Sequence, residues 1–159
     1  MPLDNDFYQL VNEYGELIHE NGNLKIYAVE DGLRRFISFE SFSEVLLGEI
    51  FNKFYEYYSQ ISNSPEEPKM NIVTSHSSQE GFRIIIFMRK KHRSSHFYKN
   101  EILLSPAAID LGGVCITPRL EDFEKIDKKI LAEIFREVAP GKESFEYIKL
   151  KLKQIHSLR

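Results

Sequence analysis

Between residues 16 and 39 the chain alternates apolar and polar positions in three short runs, 16–19, 24–29 and 33–39. They are separated by Asn21-Gly22-Asn23 and Asp31-Gly32, which supply the positive φ that tight hairpins need. The pattern predicts an antiparallel meander. The period then changes: Leu47, Ile50, Phe51, Phe54, Tyr58 and Ile61 recur at steps of three and four, the stripe of a helix packed on a sheet. Ser41-Phe42-Ser43-Glu44 has capping-box spacing, so a helix is expected over 41–61, with Tyr55 and Tyr57 partly off its apolar stripe. Residues 62–68, which contain Pro65 and Pro68, read as a surface loop.

Further apolar runs predict strands at 70–75 and 81–89, joined by a polar turn at 76–80, and two more at 102–104 and 113–117 that complete the middle of the sheet. Phe123, Ile126, Ile130, Leu131, Ile134 and Val138 restore the helical period over 120–138, with Asp127 placed as an internal N-cap. Pro140-Gly141 stops that pattern. Phe145, Ile148, Leu152 and Ile155 then mark one face of a last amphipathic helix, 142–156. The expectation is an α+β fold, an antiparallel sheet of about five or more strands packed with amphipathic helices. It is read as one domain spanning 1–159, with a core over 8–138 followed by the C-terminal helix.

A length of 159 residues is enough to bury a core without staples. The net charge of −3 gives no global attraction to nucleic acid or to an anionic membrane, so any anion site must be local. Cys115 is the single cysteine and lies in an apolar run, which excludes an internal disulfide and suits a small core residue in a reducing compartment. The N-terminus lacks the pattern of a signal peptide, and no run approaches the ~20 apolar residues of a membrane span. A cytoplasmic location is expected.

The chemistry concentrates between residues 70 and 118. Alternation along 82–89 puts Arg83, Ile85, Phe87 and Arg89 on one face and Phe82, Ile84, Ile86 and Met88 on the other. The strand runs into Arg89-Lys90-Lys91-His92-Arg93. Arginine at a strand end can hold a phosphate bidentately, and neighbouring cations add point charges. The competing reading is a solvated basic turn that protects the sheet from edge pairing. Gly112-Gly113 favours the first, because missing side chains let a ligand or another backbone come close. The candidate ligand- or phosphate-binding residues are therefore Asn71, Arg89, Lys90, Lys91, His92, Arg93, Gly112 and Gly113.

No catalytic residue, metal site or cofactor is assigned. His92 and His96 are four apart, a metal spacing only on a helix, and Ser94-Ser95 between them argues for loop or strand. There is no His-x-His, Cys-x-x-Cys, Gly-x-Ser-x-Gly or Walker-type loop. Solvation and the helix dipole account for the acid pairs Glu66-Glu67 and Glu121-Asp122.

Three segments carry a resemblance: 67–73, the run Arg83 to Arg93, and Leu104-Ser105-Pro106-Ala107-Ala108-Ile109-Asp110-Leu111-Gly112-Gly113-Val114-Cys115-Ile116-Thr117-Pro118. With Asp31-Gly32-Leu33-Arg34-Arg35 and 121–126, the chain resembles the DUF4922 family of bacterial proteins over about residues 8–138. That family is related to diadenosine tetraphosphate phosphorylase and GDP-galactose phosphorylase. The resemblance implies a histidine-triad-like (HIT-like) fold, in which a catalytic half carries His-x-His on a strand. Here the equivalent stretch reads Val114-Cys115-Ile116-Thr117, so the chain is similar to the second, degenerate half. Met88 and Ser94 depart from prolines usual in the family.

Two expectations follow. In one, the domain belongs to a nucleotide phosphorylase or nucleotidylyltransferase-type protein and binds a nucleotide or phosphorylated small molecule without catalysing a reaction alone. In the other, it is a non-catalytic module that pairs with an upstream HIT-like half or with a second copy, through a surface such as Tyr55, Tyr57 and Tyr58. Neither involves nucleic acid or a membrane.

Overall fold

The computed structural model describes residues 2–62 and 67–155, with side chains from Phe7 onward. Pro65 and Glu66 of the expected loop, and His156 at the end of the expected last helix, lie outside those residues. The architecture is α+β. Strands β1 (Gly15–Asn21), β2 (Leu24–Glu30), β3 (Arg35–Ser41), β4 (Lys69–Ser77) and β5 (Gly81–Arg89) form one antiparallel sheet in the order β1-β2-β3-β5-β4. The expected hairpin turns form: Gly22 and Gly32 take positive φ, and Asp31 Oδ1 accepts from the amides of Leu33 and Arg34.

The sheet divides two apolar cores. On one face, α2 (Glu44–Ile61) and α7 (Lys142–Lys153) cover Ile26, Ile37, Phe39, Ile86 and Met88 with Leu47, Ile50, Phe54, Phe145, Ile148 and Leu152. These are the two helical stripes expected from the sequence. On the other face, α1 (Pro2–Tyr14) and α6 (Lys128–Val138) bring Phe7, Val11, Ile134 and Phe135 onto Val29, Phe36, Ile85 and Phe87. The alternation read along β5 is the one observed, and burial of its apolar side chains contributes about 1.5–3 kcal/mol each.

Four details differ from the expectation. Helix α1 has no counterpart in the sequence reading. Ser43 caps α2, its Oγ accepting from Leu46 N at 3.3 Å, while Ser41 Oγ takes the Ser43 amide instead. The helix expected over 120–138 breaks into α5 (Leu120–Lys125) and α6, with Asp127 capping the second as anticipated. The segments 102–104 and 113–117 are not strands. Two buried carboxylates take amides that a ladder would have used: Asp122 Oδ2 accepts from Leu103 N at 2.9 Å, and Asp110 Oδ1 from Ile116 N at 3.1 Å. Short helices α3 (Ser95–Tyr98) and α4 (Ala108–Leu111) punctuate this region. Among the described residues, no helix is long and apolar enough to cross a membrane.

Candidate functional site

The β4–β5 register pairs Lys69 with Arg89, which brings the start of β4 beside the basic cluster at the end of β5. Arg89 is 5% exposed. Its Nη1 donates to Asn71 Oδ1 and to the Pro106 carbonyl, and its Nη2 to the carbonyls of Lys91 and His92 at 3.1 and 2.6 Å. Burial pulls its pKa below the ordinary arginine value. Its backbone is held from the opposite face: the Tyr58 hydroxyl donates to Arg89 O at 2.8 Å and accepts from Arg89 N at 3.0 Å. The guanidinium thus fastens β4 and the 91–106 segment to the sheet, and Asn71 is one of its acceptors.

The next two residues face a different space. Lys90 and Lys91 donate their amides to Val138 O at 2.9 and 3.4 Å, fixing them against the end of α6. Both residues, with Lys69, line a cavity of about 500 Å³ bordered by Tyr58 and Ile61 of α2 and by Pro140, Gly141 and Ser144 at the start of α7. Gly141 is the N-cap of α7 and has no side chain to bond the first-turn amides. Three lysines and a helix start without a side-chain cap therefore border one cavity, a setting that favours an anion. Lys90 is exposed, whereas Lys91 Nζ lies 2.5 Å from Glu137 Oε1. Lys91 first, and then the Ser95 amide, pull the Glu137 carboxyl down to about 2.

The other candidates lie elsewhere. His92 is exposed beside an adjoining cleft of about 390 Å³ with Phe51, Tyr55, Pro68 and Met70, which shares Lys69 with the first. Arg93 stacks its guanidinium 4.0 Å above the Phe97 ring. Gly112 ends α4, and Gly113, at φ 106°, lines a smaller cavity with Arg34, whose Nη1 donates to Leu111 O. The glycine pair and the lysines line separate cavities.

Sequence reasoning missed Lys69. The signal was there: counting outward from the 78–80 turn places Lys69 opposite Arg89. Tyr58, offered as part of an aromatic surface, is 2% exposed, and Tyr55 and Tyr57 are half-buried. Five exposed apolar side chains fall instead between residues 109 and 123: Ile109, Val114, Ile116, Leu120 and Phe123, at 49–72%. Burial and the charge of Asp110 push the Cys115 thiol up, away from the thiolate. Among the described residues, no three His, Cys, Asp or Glu side chains gather as a metal site.

Comparison with known proteins gives one family match: the model described as GDPGP1-like, C-terminal domain covers residues 9–158. No curated protein and no solved structure matches.

Proposed function

The chain belongs to the GDPGP1-like, C-terminal domain family; on that premise we propose that it is a ligand-holding domain of a nucleotide-sugar phosphorylase-related protein. It binds the phosphate of a nucleotide or similar phosphorylated small molecule and is not catalytic alone. The observation that carries this reading is the convergence of Lys69, Lys90 and Lys91 with the open start of α7 around one cavity. Such a site holds phosphate by charge and by backbone amides, and its contribution is electrostatic preorganisation. Arg89 positions Lys91 from behind, through the Lys91 carbonyl. The reading includes a HIT-like relationship, supported by the antiparallel sheet and by the sequence pattern of residues 83–118, and a cytoplasmic setting, supported by the single cysteine.

Isothermal titration with inorganic pyrophosphate, GDP and ATP tests it. Charge-assisted contacts are worth about 1.5–3 kcal/mol, so Lys69→Gln and Lys90→Gln each weaken binding by about tenfold or more. Absence of heat from every anion with the wild-type chain refutes the proposal.

A second reading rests on the exposed apolar stretch Ile109, Val114, Ile116, Leu120 and Phe123. A patch of this kind suits a module that packs against a partner domain or a second copy. Sedimentation of the chain alone and with a candidate partner distinguishes the two, and an Ile116→Glu, Phe123→Glu variant that associates like wild type excludes this surface.

A further inference from the structure

One of the lysines that line the cleft is paired with an anion of the protein's own, just outside it. Glu137, on the last turn of α6, reaches Lys91 Nζ at 2.5 Å. Its oxygens also accept the Ser95 amide at 2.9 Å and the Ser95 hydroxyl at 3.0 Å. Those Ser95 bonds fix the carboxylate in place, so it does not swing away when Lys91 is asked to turn. Lys91 is therefore shared: it lines the cavity and is the ion-pair partner of a carboxylate anchored outside it.

We infer that Glu137 sets the anion affinity of the cleft by competing with an incoming phosphate for the Lys91 ammonium. This rests on the reading of the cleft as a phosphate site. An anion that reaches Lys91 comes within a few ångströms of the Glu137 charge, and it takes from Lys91 only the donors Glu137 leaves. The carboxyl, held near 2, stays ionised throughout the neutral range, so the competition is permanent. A like charge at that separation in a partly screened setting changes affinity by about tenfold. The consequence is a site tuned for reversible binding, in which the Lys91 ammonium is divided between Glu137 and the ligand.

The test is isothermal titration of inorganic pyrophosphate into the full chain, comparing wild type, Glu137→Gln, Lys90→Gln and Lys91→Gln. Glu137→Gln keeps an acceptor for Ser95, removes the charge and tightens binding by about tenfold. A gain of affinity in a variant that loses an ion pair separates this role from a purely structural one. Binding of pyrophosphate by Glu137→Gln where wild type gives heat only with GDP or ATP also supports the inference. Where wild type binds and Glu137→Gln binds equally or more weakly, the inference is overturned and the phosphate reading of the cleft stands. No heat from either protein overturns both. Where Glu137→Gln does not fold, Lys91→Gln decides: it weakens binding more than Lys90→Gln, because it leaves the Glu137 charge unpaired beside the ligand, and equal losses overturn the inference.

Discussion

Replacing Tyr58 by phenylalanine removes one oxygen from the point where α2, β4 and β5 meet. The hydroxyl donates to Arg89 O at 2.8 Å, with Lys69 O at 3.1 Å, and accepts from Arg89 N at 3.0 Å. The side chain is 2% exposed, and phenylalanine fills the same ring volume, so the change leaves buried backbone groups unpaired without opening a cavity. Such a loss costs about 1–3 kcal/mol. Burial also pushes the Tyr58 phenol from 10.0 up to about 12. With the folded pKa raised, this stabilisation is fully present below pH 10 and is lost as pH rises towards 12. At pH 11, midway between the two values, the loss specific to Tyr58 is about 1.4 kcal/mol. Urea unfolding of wild type and Tyr58→Phe at pH 8 and pH 11 reads both quantities, since other titrating groups cancel in the difference. Wild type leads at pH 8, and its lead shrinks at pH 11. Equal stabilities at pH 8, or a gap that does not change with pH, would refute the reasoning.

Arg89→Lys keeps the charge but loses the planar fork that spans Pro106, Lys91 and His92, and destabilises by about 2–4 kcal/mol in denaturant unfolding; a loss below 1 kcal/mol would show that the fork is not the fastening. At Gly81, φ is 75° and an added Cβ would stand 2.7 Å from the Ser41 carbonyl oxygen, whereas at Gly113 the φ is 106° and the nearest atom is the movable Arg34 Nη1 at 3.7 Å. Gly81→Ala therefore costs about 2–4 kcal/mol and Gly113→Ala about 1, by the same measurement, and equal costs would sink the argument from close approach.

The sheet was legible because its signals are local. Turn glycines, alternation and the apolar stripes of α2 and α7 each act over a few residues, and packing agrees with them. The segment from residue 102 to 117 was not, because its apolar alternation suits a ladder while Asp110 and Asp122 capture the amides a ladder would need. Nothing in a spacing rule tells which carboxylate turns inward. For the same reason Arg89 read as a ligand group, whereas its acceptors are the Asn71 side chain and the carbonyls of Lys91, His92 and Pro106. Lys90 and Lys91 were found from sequence because they are consecutive, while Lys69 required the hairpin register to be carried across the turn.

The sheet's position between two cores has a consequence for how sequences of this kind can vary. Side chains such as Phe54 and Phe7 lie on opposite sides of a layer of backbone, in separate packing clusters. Changes of shape on one side are absorbed there, and energetic effects from the two sides combine by simple addition. The tolerated variants of one face can therefore be drawn independently of those of the other. The number of viable combinations then grows as a product, except at the sheet end where Glu137 of α6 pairs with Lys91 of the cleft and ties the two faces together.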